Sequence, residues 1–236
     1  MNAARDPFTV VLLQSNYLPW KGYFDLIAAA DLCVFHDDVQ YTKQDWRNRN
    51  RIKTPRGTTW LTIPCGADER RTIAEVTLPD HGWQVTHWRR IRASYEAAPW
   101  FSTCAAFLEE FYLRHQWSSL SELNQYLIRH ISSNVLGLST AFDDTRRYDL
   151  SQRKAGRVME LLEKVGATHY LSGPAAQRYL REEDFLARGI TLRWMDYSGY
   201  RQYEQLYPPF EHGVSIVDLL AHVGPAATAY LKHGVS

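Results

Sequence analysis

The first apolar run of the chain, Phe8–Leu13, is rich in β-branched residues and stops at the polar Gln14-Ser15-Asn16. A buried strand emerging into a loop produces that pattern. Pro19 marks a turn or helix start, and Tyr23, Leu26, Ile27 and Ala30 then share one helical stripe. Leu32–Phe35 reads as a second strand running into His36-Asp37-Asp38-Val39-Gln40-Tyr41. If extended geometry persists there, the two-residue period puts His36, Asp38 and Gln40 on one face. Thr42–Arg56 reads as loop or short helix, and Thr58–Ile63 as a strand ended by Pro64.

The middle of the chain has helical spacing over Trp83–Tyr95, about Trp100–Arg114, and Ser118–Leu136, with Ser118 and Ser121 as caps and a stop at Gly137. Strand and helix then alternate: helix Ser151–Val165, strand Thr168–Leu171, helix Pro174–Leu180, strand Ile190–Met195, and a last docking helix within Val214–Val223. Such alternation predicts an α/β fold with a mostly parallel, HUP/Rossmann-like sheet. The expected organisation is a single α/β domain over residues 1–236, with residues 81–137 as a helical insertion or cap within it. Ligands of such sheets sit beyond the carboxyl ends of the strands, so the loops after Leu13 and Phe35 are the first places to search.

Composition narrows the function classes. The 27 basic and 26 acidic residues nearly cancel, so recognition of an anion must be local, and nucleic acid and anionic membranes are disfavoured as partners. Cys33, Cys65 and Cys104 are scattered without a CxxC pair, against a disulfide framework or thiolate zinc site. No stretch approaches the length of a membrane span and the first apolar run is too short for a signal sequence, so a cytoplasmic protein is expected. Aromatic residues are 13% of the chain, with Trp and Tyr outnumbering Phe. Rings with a polar handle serve sugar or nucleotide pockets as well as ordinary packing.

Three constellations can carry chemistry. Gln14 to Tyr23 sets amides, a hydroxyl and the Lys21 ammonium between a strand and a helix start, where free N–H groups attract phosphate or carboxylate. Asp38, on the side of His36 and Gln40, is the candidate general base or Mg²⁺ ligand, with Asp37 as a turn residue. Trp46-Arg47-Asn48-Arg49-Asn50-Arg51 lies in a run where Lys43, Arg47, Arg49, Arg51, Lys53 and Arg56 face only Asp45 as an acid. Its guanidinium forks suit carboxylate and phosphate, and its asparagines can orient a substrate. A charge run of this kind is usually a solvated face, and six bases are enough for an RNA contact as well. His87 beside Trp88 and Ser172 in Tyr170-Leu171-Ser172-Gly173-Pro174 are weaker candidates, as a second base and an oxygen-binding or capping hydroxyl. The expected catalytic residues are therefore Asp38 and His87. Gln14, Asn16, Lys21, Gln40, Trp46, Asn48, Arg49, Asn50 and Ser172 are the expected substrate-binding residues. No metal site is expected, and no cofactor is assigned.

These strings resemble the WbqC-like family: Gln14 through Ile27, Asp37 through Tyr41, Trp46 through Asn50, Tyr95 with Ala98-Pro99-Trp100-Phe101, Tyr170 through Pro174, and Ser215 through Leu220. The likeness runs from about Val10 to Gly224. Ser15 departs from it, standing where proline is commoner in the family. The resemblance implies biosynthesis of bacterial surface polysaccharides such as O-antigen, or of specialised metabolites, by a transferase that places an acyl or aminoacyl group on the amine of a sugar or small metabolite. An acyl or aminoacyl carrier is a possible partner on that reading. In the proposed step Asp38 or His87 removes the amine proton, and Asn48, Arg49 or Gln14 steadies the oxyanion. A looser likeness to HIGH-type nucleotidyltransferases, with Tyr23 where that motif has histidine, implies an ATP-dependent adenylate-forming ligase instead. A noncatalytic RNA- or carrier-binding protein using Lys43–Arg56 is the third expectation. A further expectation is geometric: Gln14, Asp38, Asn48, Arg49 and Asn50 converge on a single cleft at the carboxyl edge of the sheet, capped by the helices, with His87 on the opposite wall.

Overall fold

A computed structural model describes residues 6–234. Five parallel strands, β1 (Thr9–Leu13), β2 (Leu32–Phe35), β5 (Ala141–Asp144), β6 (His169–Ser172) and β7 (Thr191–Trp194), form a sheet in the order β5-β2-β1-β6-β7. A separate antiparallel hairpin pairs β3 (Arg49–Thr54) with β4 (Gly57–Thr62). The expected α/β, Rossmann-like sheet is therefore present.

Both faces of the sheet are covered, and the two-residue period assigns the side chains. Val11, Cys33 and Phe35 enter one core with α1 (Lys21–Ala28), while Val10 and Val34 enter another with α5 (Lys154–Val165). The helices α2 (Gly82–Tyr95), α3 (Phe101–Leu113) and α4 (Leu120–His130) join the first core through Ile91, Phe111 and Leu127, all fully buried. With α6 (Glu182–Leu186) beside β7 and α7 (Ile216–Val223) beside α3, these elements complete the layers.

From β1 the chain steps outward through β2 to β5, then returns to lay β6 against the other side of β1. Connections leaving β1 and β6 diverge at such a reversal and open a crevice at their carboxyl ends.

Three elements differ from the expectation. Residues within Thr42–Arg56 form strand β3 rather than a loop or short helix; its buried positions carry Asn50 beside Ile52, so no apolar alternation marks the strand in the sequence. Strand β5 went unanticipated; its sequence is AFDD, and as an edge strand it pairs only with β2. Pro174–Arg178 is a short 3-10 turn rather than a full helix. Ser119 caps α4 by accepting from the Glu122 N–H at 3.4 Å, and Ser121 is used elsewhere.

Ser121 bonds Asp37. That carboxylate, fully buried, accepts from the Ser15 N–H at 2.8 Å, the Ser121 hydroxyl at 2.6 Å and the Gln125 amide at 3.1 Å. It thus joins the loop after β1 and the end of β2 to α4. Asp37→Ala removes the acceptor for three donors, each hydrogen bond to a charge being worth roughly 1.5–3 kcal/mol. Allowing for relaxation, we expect a loss of roughly 3 kcal/mol, or a fall of roughly 6–12 °C in Tm for a domain of this size. Thermal unfolding followed by circular dichroism measures it, and an unchanged midpoint contradicts the role given to Asp37.

Candidate functional site

The crevice between β1 and β6 is a cleft of about 570 Å³. Gln14 and Asn16 enter it from the end of β1, His36 from the end of β2, and Ser172 from the end of β6. Trp46 and Arg47 reach it from the loop before β3, and Lys154 from the first residue of α5. Tyr23, Tyr170 and Tyr197 provide ring surface. No Asp or Glu is among the described residues that line it.

Arg47 is held in place from two sides: one nitrogen donates to Asn16 Oδ1 at 2.8 Å, the other to Asp45 Oδ2 at 2.7 Å. That contact depresses the Asp45 pKa against the upward push of burial, so the pair is an ion pair at neutral pH. His36 is largely buried, and its Nε2 lies 3.8 Å from Asp38 Oδ1 with no hydrogen-bond partner among the described residues. Burial lowers the His36 pKa more than the Asp38 carboxylate raises it, and Arg157 lowers it further. The imidazole is therefore neutral at pH 7, and its Nε2 is turned into the protein toward Asp38.

Of the expected site residues, Gln14, Asn16, Trp46 and Ser172 line the cleft. Asp38 stands behind His36, outside the lining, with Thr145 donating to Oδ1 at 2.6 Å and Arg157 paired to Oδ2. Burial also reverses the expected order of the two carboxylates: Asp37 is the inner one. The chain leaves extended geometry after Phe35, so Gln40 is turned outward, where it bridges Thr72.

Asn48 and Asn50 do not reach this cleft. Asn48 donates to the Ile63 carbonyl at 2.9 Å, and Asn50 donates to the Tyr17 and Leu18 carbonyls at 3.1 and 2.8 Å. The two Asn50 bonds brace the loop after β1, where Leu18 adopts a left-handed φ of 43°. Arg49 lies outside too, its guanidinium 4.2 Å from the Trp60 ring centre. Lys21 turns inward, 3% exposed, donating to the Arg201 carbonyl at 3.1 Å among the rings of Tyr200, Tyr203 and Phe210. Burial lowers its pKa to about 8. The start of α1 is no anion site either, since the Trp20 indole folds over it so closely that a Cβ on Gly22 would collide with the ring.

The basic run is not one face. Lys53 is buried against Gln205 and Pro209, Arg51 donates to the Gly213 carbonyl at 2.8 Å, and Lys43 lies 3.8 Å from Glu69. No residue of α2, α3 or α4 lines the cleft, so the helices are no cap over it; their apolar faces are spent in the core with α1. His87 is accordingly not on an opposite wall. It is 3% exposed, 2.8 Å from the Tyr17 hydroxyl. Among the described residues no group of three or more His, Cys, Asp and Glu could hold a metal ion, and no helix is long and apolar enough to cross a membrane.

The model of the WbqC-like protein family matches residues 14–230, a span that contains the whole cleft beyond β1. The chain belongs to this family. It is 44% identical over 226 residues to the uncharacterized protein Rv1507c of Mycobacterium tuberculosis, covering 95% of this chain and 97% of that one. No solved structure matches. Within the WbqC-like motifs, Gln14, Asn16, Trp46 and Arg47 face the cleft, while Asp37, Asn48 and Asn50 hold the loops that present them. Ser15 also gains a reason, because its N–H is the donor to Asp37 and a proline has none to give. His36, Arg47 and Lys154 are the basic cleft residues that sequence reasoning left off the site. The strand-end position of His36 was a usable signal; for Lys154, far along the chain from Gln14, there was none.

The buried His87 makes stability depend on pH. Burial pulls its pKa from 6.5 in the unfolded chain to about 4. Above 6.5 neither state is protonated there; from 6.5 down to about 4 only the unfolded chain takes up the proton, so stability is lost as pH falls through that window. In His87→Leu this contribution is missing. The stability difference between wild type and variant should shrink by roughly 2–3 kcal/mol between pH 7 and about pH 4.5. Urea unfolding at both pH values reads this, and a difference that does not change with pH refutes it.

Proposed function

We propose that the protein is a group-transfer enzyme that binds a small anionic donor in the cleft between β1 and β6 and delivers its acyl or aminoacyl group to an amine. The lining carries the reading: Arg47 and Lys154 face the same space as His36 and two side-chain amides, with no Asp or Glu among the described lining residues. A cleft of one sign concentrates ligands of the other, and a guanidinium with fixed geometry orients a carboxylate or phosphate. A volume of about 570 Å³ suits a metabolite-sized donor, whose body rests on Tyr23, Tyr170 and Tyr197.

In the proposed step the amine nitrogen attacks the donor's carbonyl carbon, forming the C–N bond, and the carbonyl electron pair moves to oxygen. The Gln14 and Asn16 amides donate to that oxyanion. His36, neutral because it is buried, accepts the amine proton on Nδ1, since its Nε2 is buried toward Asp38. The intermediate collapses with loss of the donor's leaving group, which carries away its bonding pair. Asp38, engaged by Arg157 and Thr145, acts on His36 only through its charge, 3.8 Å from Nε2, which favours the ring once it carries the proton. The base is thus placed at His36 rather than at Asp38 or His87, and the oxyanion at Gln14 and Asn16 rather than at Asn48 or Arg49.

A thermal-shift panel of coenzyme A thioesters, aminoacyl analogues, nucleotide sugars and ATP tests the site first. A donor at a hundred times its Kd adds about 2.7 kcal/mol of stability, hence roughly 5–10 °C. Lys154→Gln should reduce that shift. His36→Ala should keep it while lowering transfer to an amine roughly 100-fold or more, the usual worth of a positioned base. Transfer unaffected by His36→Ala removes the mechanism, and Mg²⁺-dependent release of pyrophosphate from ATP with a carboxylate replaces it with adenylate formation.

A further inference from the structure

Beyond Asn16 the cleft continues into a second recess of about 340 Å³. Asn16, Trp20 and Trp46 border both spaces, and Pro19, Asn50, Arg51 and Gly213 complete the second. We propose that this recess is the acceptor subsite and takes a saccharide ring that carries the reacting amine, an assignment that rests on the group-transfer reading of the adjoining cleft.

The walls point to such a ring. Trp46, which borders both spaces, is 43% exposed, and Trp60, outside the lining, backs it with ring centres 5.6 Å apart, so one indole is left open to water at the site. Indole presents a flat, weakly negative face, which suits the polarised C–H face of a pyranose, while its neighbours must serve the hydroxyls around the ring edge. Asn16 has that capacity to spare: its amide nitrogen donates to nothing among the described residues, since only its Oδ1 is engaged, by Arg47. Arg51 lines the recess with its Nε buried and its guanidinium donating to the Gly213 carbonyl at 2.8 Å. Asn50, by contrast, is fully committed to the loop and serves as floor.

The walls are also stiff. Trp20 packs edge-on against Tyr197 and Tyr200 at 5.3 and 5.8 Å, and lies where only a glycine at position 22 leaves it room. The carbonyl of Trp46 is fixed by the Tyr17 N–H at 2.9 Å, and its N–H by Asp45 at 2.7 Å. A preorganised aromatic cleft loses little entropy on binding a rigid ring. Because Asn16 borders both spaces, a substituent on a ring seated here extends past it toward the donor and His36.

Saturation-transfer NMR with the full chain tests this, using glucosamine, its methyl glycosides and, as a flat heteroaromatic control, adenosine. The ring C–H protons of the sugars should be saturated, and affinity should fall about tenfold in Trp46→Ala, the loss expected of a central aromatic contact, and less in Trp46→Phe. Trp46 is exposed enough to replace, and circular dichroism confirms that the variant is folded. If saccharides do not bind while an anionic donor still stabilises the protein through Lys154, the subsite assignment is overturned and the donor cleft stands. If saccharides bind through Trp46 while no anion binds next door, the subsite stands and the group-transfer reading falls. Adenosine displacing the sugars with higher affinity overturns the saccharide class.

Discussion

A buried carboxylate without hydrogen-bond donors is among the most costly arrangements a fold can contain, and Asp37 is fully buried at the carboxyl edge of this sheet. Its donors come from three places that are distant in sequence, the Ser15 backbone, Ser121 and Gln125. Gln125 also donates to Asp144 at 2.7 Å, and Asp144 is clasped by Arg146 through two bonds of 2.8 Å. The ends of β1, β2 and β5 are thereby registered against one helix. Ser15 lies between Gln14 and Asn16, so fixing its N–H fixes the two amides that the proposed chemistry uses.

A second set of bonds finishes that loop. Its carbonyls have no ladder to enter, and a buried carbonyl needs a donor. Asn50 serves Tyr17 and Leu18, Asn124 serves Ser15 and Arg47, and Arg47 returns a bond to Asn16. The asparagine-rich segment is explained by this bracing. Its amides look like substrate ligands because they are polar and clustered, yet their donors are consumed by the protein's own backbone.

The sheet was legible where burial leaves a periodic trace. Phe8–Leu13 and Leu32–Phe35 are apolar runs, Thr168–Leu171 stands between two helical patterns, and the three became β1, β2 and β6 within a residue or so. β3 and β5 were not, because Asn50 and the acidic pair Asp143-Asp144 sit where apolar residues would announce a strand. At the site, proximity to the strand ends singled out Gln14, Asn16 and Ser172, and the structure sets all three in the lining of the cleft. The same reasoning chose between Asp37 and Asp38 by assuming a strand that continues, whereas the chain bends and the buried carboxylate is the other one. His87 was chosen by residue type, and its surroundings, a hydroxyl-bonded position inside the core, can be known only from packing.

The central claim is that the crevice between β1 and β6 is where the ligand binds and reacts. A crystal structure with the most stabilising compound of the donor panel tests it most directly. The account predicts the anionic group against Arg47 and Lys154, and the carbonyl carbon between the Gln14 and Asn16 amides on the His36 side. A ligand seated instead at the surface recess of Arg193 and Lys232, or in the hollow beside Asn48 and Cys65, with the crevice left empty, would contradict it.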